Sequence, residues 1–251
     1  MKDIENWLGV HEKEAIERLK AFCRLPSVST DPAFTLDVRR TAEFTASQLE
    51  KAGFPSVEII ETKGHPSIIG EWCDVPGAPT ILIYGHYDVQ PPDPLEKWNS
   101  SPFEPVICDD RLYARGVSDD KGPLSIPIEV VAAFHEVRGE LPINIKVIIE
   151  GEEESGSPHF AGTVERLKDR LACDLVISAD GAMWRADLPS MTVASRGLVA
   201  LEVSVQGAHK DLHSGRHGGS APNAIRALTR MLASMHDDGG NVVVDGFADT
   251  A

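Results

Sequence analysis

Three short apolar runs, TILIY at 80–84, IKVII at 145–149 and DLVIS at 174–178, each stop abruptly at polar residues: GHYD, EGEEE and AD. Runs this short and this rich in β-branched residues read as buried strands. Helix-like stretches lie between them, PIEVVAAFHEVRG after Lys121 and HFAGTVERLKDRL before Cys173. Strand and helix alternate, so the class is α/β, with a mixed, mostly parallel sheet flanked by helices.

The flanking segments fit that frame. Ile4, Leu8, Ala15, Leu19 and Phe22 recur at helical spacing up to Pro26, predicting an amphipathic helix broken near Gly9. A second helix is expected from Leu36 to Ala52 with Gly53 as its C-cap, then strands in SVEIIET and PSIIGEW. Near residue 195 the pattern changes: RGLVALEVSVQG alternates like a half-solvated antiparallel strand, and a helix follows from Pro222 to His236. This predicts one domain over 1–194 and an incomplete α+β unit over 195–251, ending in a new strand and turn in NVVVDGFADTA.

Composition narrows the function. With 24 basic and 39 acidic residues the net charge is −15, which repels nucleic acid and anionic membranes. The amino terminus has no apolar signal core, and no run is long enough to span a bilayer. The four cysteines are scattered without metal-knuckle or disulfide spacing and read as reduced. A cytoplasmic protein is expected.

The chemistry concentrates at the strand ends. EGEEESGS puts four carboxylates within five residues after a buried strand, and crowded like charges resist burial unless water, a basic partner or a metal ion sits among them. In an open α/β sheet the carboxyl ends of the strands line the ligand crevice, so GHYD, SDDKG, EEE and AD can converge there. Each alone has a plainer explanation: a hydrogen-bonded His86–Asp88 pair, a helix N-cap in SDDKG, a solvated acidic turn in EEE. Together their histidine and carboxylate donors suit Zn²⁺ or Mn²⁺ better than Mg²⁺.

GHYDVQP, PFEPVICDDRLYARGVSDDKGP, EGEEESGS, VISADGAMW and KDLHSG, in this order, resemble the zinc dipeptidase and aminoacylase family of co-catalytic metallopeptidases. The likeness is greatest to its cytosolic dipeptidase and carnosinase branch. It implies a zinc exopeptidase-like fold with two zinc ions per full-length subunit, Mn²⁺ being the alternative. His86 and Asp180 would hold one ion, Asp119 would bridge both and Glu154 would hold the second. Asp88 would fix the His86 imidazole, and Glu153 would serve as general base. The resemblance also implies a cis peptide between Asp119 and Asp120, a catalytic metal-binding domain over 1–194 and a partial lid or dimerisation domain over 195–251, whose His213 would stabilise the oxyanion in a partner subunit of a homodimer.

In relatives a carboxyl-terminal histidine completes the second metal site, and no such segment precedes Ala251. The chain therefore reads as truncated, with a weak second site and an open sheet edge. His159 is expected to be a capping or surface residue rather than a substitute ligand. The expected activity is hydrolysis of a dipeptide or short peptide by a metal-bridged water with Glu153 as base. The alternatives are a deacylase of N-acyl amino acids and a non-catalytic metal-binding or dimerising fragment.

Overall fold

The computed structural model describes residues 1–181, 183–185 and 187–247. The chain forms two compact units, Met1–Thr192 and Val193–Ala251. The first opens with helices α1 (Lys2–Val10), α2 (Glu12–Cys23) and α3 (Thr35–Lys51), then strands β1 (Ser56–Ile60), β2 (Ser67–Trp72) and β3 (Thr80–His86). A hairpin of β4 (Val106–Cys108) and β5 (Arg111–Tyr113) precedes helix α4 (Lys121–Arg138), strand β6 (Asn144–Glu150), helix α5 (Phe160–Leu167) and strand β7 (Leu175–Ser178).

The break between α1 and α2 falls at His11, not Gly9, and Trp7 stacks on the His11 ring with centroids 4.0 Å apart. Helix α3 ends as expected, with Gly53 beyond its cap at φ 98, a conformation that favours glycine. Helix α4 begins at Lys121, earlier than its apolar periodicity suggests, and carries Pro127 inside. It stops at Gly139, whose left-handed backbone lets its N–H bond the His135 carbonyl.

The sheet runs β1-β2-β6-β3-β7. The first two pairings are antiparallel, and β6–β3 and β3–β7 are parallel. Strand alternation then decides which side chain faces which layer. Ile68, Ile83, Val147 and Ile149 point into a core shared with α1, α3 and α4. Ile69, Leu82 and Ile148 point to the opposite face, where Phe160, Val164 and Leu167 of α5 cover them. Because β3, β6 and β7 are parallel, their carboxyl ends meet at one edge, with His86 opposite Glu150. On the far side of β3, β7 leaves Leu175, Val176 and Ile177 exposed.

The second unit holds helices α6 (Ser214–His217) and α7 (Ala224–Ala233), the latter capped by the Asn223 side chain accepting from Arg226 N. The expected strand at 196–207 does not form; an alternating, half-solvated strand needs a neighbouring ladder, and none pairs with it among the described residues. NVVVDGFADTA contributes an isolated bridge, His236 to Val242, and a turn rather than a strand; its last four residues lie outside the described ones. The cysteines are free thiols. Among the described residues no helix is long and apolar enough to cross a membrane.

Candidate metal centre

Three of the four predicted donors come together at the strand ends. His86 ends β3, Asp180 lies just past β7, Asp119 lies just before α4, and Glu153 opens a short 3-10 turn, Glu153–Ser155, after β6. One ligand atom from each of His86, Asp119 and Asp180 lies within 4.8 Å of the other two. His86 Nε2 is 3.0 Å from Asp119 Oδ1 and 4.0 Å from both Glu153 Oε2 and Asp180 Oδ2.

The imidazole is fully buried and oriented from behind. Its Nδ1 lies 3.1 Å from the Asp88 carbonyl oxygen and 3.4 Å from Asp88 Oδ1. An acceptor at Nδ1 holds a proton there and turns Nε2 toward the donor cluster. The Asp88 carboxylate, also fully buried, accepts as well from the backbone N–H of Glu153 at 3.2 Å and of Glu154 at 3.1 Å. One side chain thus ties the ends of β3 and β6 together.

Glu154 is not among the three donors whose ligand atoms lie within 4.8 Å of one another. Gln90 Nε2 donates to its Oε2 at 2.7 Å and to its carbonyl at 3.1 Å. His213 belongs to the second unit, where it is exposed, caps α6, and accepts from Gly215 N through Nδ1 at 3.0 Å.

Several residues around the site were not anticipated from the motifs. Asp120 precedes α4 in the N-cap position but makes no side-chain cap; its Oδ2 accepts instead from the His86 backbone N–H at 3.1 Å. The doubled acid of SDDKG was the available signal. The Asp119–Asp120 peptide is cis, as the family resemblance implies. Lys121, fully buried, donates from Nζ to the carbonyls of Phe22 and Leu25, at 3.1 and 2.7 Å, and so anchors the start of α4 to the end of α2. Glu150 is buried opposite His86 and accepts from Tyr84 Oη and Ser157 Oγ at 2.8 and 3.0 Å.

The electrostatics favour positive charge among these groups. Burial works against an imidazolium at His86, yet Asp88, Asp120 and Glu153 outweigh it and carry its pKa up to about 10. Burial also drives the Asp120 carboxyl up to about 7, with Asp180 and Asp119 adding to the effect. Glu153 is raised by burial and by neighbouring Glu154, Asp180 and Asp88. Two buried carboxylate oxygens, Asp120 Oδ1 and Glu150 Oε2, have no hydrogen-bond partner among the described residues. An imidazole nitrogen among converging carboxylates with excess negative charge is a donor set that fits a divalent transition ion.

Fold and site together define an α/β protein with a carboxylate-rich cluster at its strand ends that could hold a metal ion. The chain belongs to the peptidase family M20/M25/M40, whose family model matches residues 82–244. It is 32% identical to the human Beta-Ala-His dipeptidase, over 99% of this chain and 52% of that protein. It is 31% identical to the Cys-Gly metallodipeptidase DUG1 of Saccharomyces cerevisiae, over 91% of this chain and 51% of that one. Among solved structures, an M20 family metallo-carboxypeptidase from Sulfolobus solfataricus superposes with a TM-score of 0.75 and 32% identity, covering 94% of this chain and 53% of that chain. The chain thus spans about half the length of the curated relatives it matches. The resemblance carried by the five motifs is borne out at the level of family and fold.

Proposed function

We propose that this chain carries the metal-binding part of a dipeptidase that hydrolyses the peptide bond of dipeptides or short peptides. The observation that carries the proposal is the convergence of His86, Asp119 and Asp180 at the strand ends with Glu153 beside them. The dipeptidase names of the relatives favour a dipeptide over an N-acyl amino acid as substrate.

His86, Asp119 and Asp180, joined by Glu154, would hold zinc, two ions per full-length subunit, with Mn²⁺ as the alternative. What a divalent ion supplies when bound is Lewis-acid polarisation of the scissile carbonyl and a more acidic water. Glu153 takes a proton from the attacking water and returns it to the leaving amine, and its raised pKa suits both transfers. Asp88 keeps the His86 ring aimed and the Glu153 backbone in place. His213 would stabilise the oxyanion in a second copy of the protein, which would be a cytoplasmic homodimer joined through the lid.

That Glu154 is outside the mutually close donors and is bonded to Gln90 favours one further reading, a protein that binds a single ion without turnover. Metal content per chain, measured with hydrolysis of β-Ala-His, Cys-Gly and acetylated or succinylated amino acids, decides between them. Glu153→Gln should keep its metal and lose about 10²–10⁴-fold in turnover. Near-parental turnover by the metal-loaded variant would remove Glu153 from the role of base.

A further inference from the structure

Three consecutive glutamates leave β6, and the first of them does not join the donor cluster. Glu152 is only 7% exposed, and both its carboxylate oxygens face His159 Nδ1, at 3.1 and 3.0 Å. A carboxylate only accepts, so the His159 ring carries its proton on Nδ1. His159 stands at the start of α5 but makes no side-chain cap to that helix; the ring is committed to Glu152. The Glu152 carbonyl closes the acidic turn, accepting from Ser155 N at 3.1 Å, Ser157 N at 2.8 Å and Ser155 Oγ at 3.0 Å.

The pair is enclosed by the loop between β1 and β2. A methyl group on Gly64 would lie 1.9 Å from Glu152 Oε1 and 2.7 Å from His159 Nδ1, so only a glycine fits without displacing them. Glu152 is the N-cap residue of the Glu153–Ser155 turn and its carbonyl closes that turn, so holding Glu152 in place holds the backbone from which Glu153 and Glu154 project. Three adjacent carboxylates would otherwise rotate to relieve their repulsion.

We propose that the Glu152–His159 pair, seated against Gly64, is a positioning device that sets the direction of Glu153 and Glu154. Its consequence for turnover rests on the dipeptidase reading; its effect on the turn does not. Glu152 and His159 are positioning residues.

The test is amide hydrogen exchange at Glu153 and Glu154 in His159→Ala and His159→Asn, with hydrolysis of Cys-Gly measured alongside. Asn places an N–H close to where Nδ1 stands, so it should hold Glu152 where Ala cannot. In His159→Ala the two amides should exchange at least about tenfold faster while the Val147 and Ile148 amides of β6 keep their protection. In metal-loaded protein kcat should fall about 10–100-fold with KM little changed, and Asn should recover most of both losses. Gly64→Ala, which dislodges the pair without removing either member, should reproduce the Ala phenotype if His159→Ala fails to fold. Unchanged exchange at both amides in a folded His159→Ala or Gly64→Ala protein overturns the proposal, as does equal damage by Ala and Asn. Parental protein without hydrolysis would overturn the dipeptidase reading alone, and the exchange rates would still decide the positioning role.

Discussion

Replacing Asp88 by alanine should loosen the whole edge that carries the metal donors. Its carboxylate is fully buried, receives the amides of Glu153 and Glu154, and sits 3.4 Å from His86 Nδ1. Each stranded N–H costs about 1–3 kcal/mol, and since both hydrogen bonds are only part-buried each is taken near the lower end. Unpairing a buried charge costs about 3–5 kcal/mol, reduced here because Asp119 still faces Nε2 at 3.0 Å. The total is about 3–5 kcal/mol in chelator-treated protein. Asp88→Asn keeps the shape and one acceptor and should lose roughly half as much. Urea denaturation followed through the buried Trp72 reads this unit, and with a slope of about 2–3 kcal/mol per molar the Ala midpoint should fall by about 1–2 M. An Ala midpoint within about 0.2 M of the parent would show that the carboxylate does not carry the turn.

Two further outcomes follow from the packing and the charges. In chelator-treated protein His86, raised from 6.5 to about 10, contributes stability that is complete below its ordinary pKa and drains away as pH climbs toward 10. Lys121 has the opposite sign: burial draws it from 10.5 to about 7, so stability is gained as pH rises across that interval. Lys121→Met removes the gain, and its denaturation midpoint should drop further than the parent's between about pH 7 and pH 9.5; an equal or smaller drop contradicts the assignment. Gly151→Ala would set a methyl group 2.1 Å from Tyr87 Oη, which donates to the Pro66 carbonyl at 2.6 Å inside the core. A loss of about 1–3 kcal/mol and weaker zinc binding should result, and unaltered thermal denaturation would show that the ring can yield.

Much of the frame could be read from residue order because burial leaves a plain signature. β3, β6 and β7 are each an apolar run stopped by charge, and Gly139 ends α4 as an αL cap should. The β4–β5 hairpin escaped because its strands are three residues long and largely exposed, offering no periodicity. Its turn was nonetheless encoded: Asp109 and Asp110 both take positive φ, 49 and 58, which aspartate tolerates better than most residues. The start of α4 was hidden by two prolines, although Lys121 at its first position is held by distant carbonyls of Phe22 and Leu25. At the site, the family motifs supplied His86, Asp119 and Asp180, and the parallel sheet explains why they meet. The direction of each glutamate in EEE was not legible, since it depends on His159, Gly64 and Gln90, which are remote in composition and pattern from any acidic motif.

The ladder between β3 and β6 has one further implication. His86 faces Glu150 and Gly85 faces Ile149, so sliding β3 by a single residue would put a glycine where the imidazole belongs. Grafting GHYD onto another scaffold would therefore carry over letters without the chemistry, because the centre is a property of how two strands are threaded side by side. A designer wishing to move it would have to transplant the pairing first.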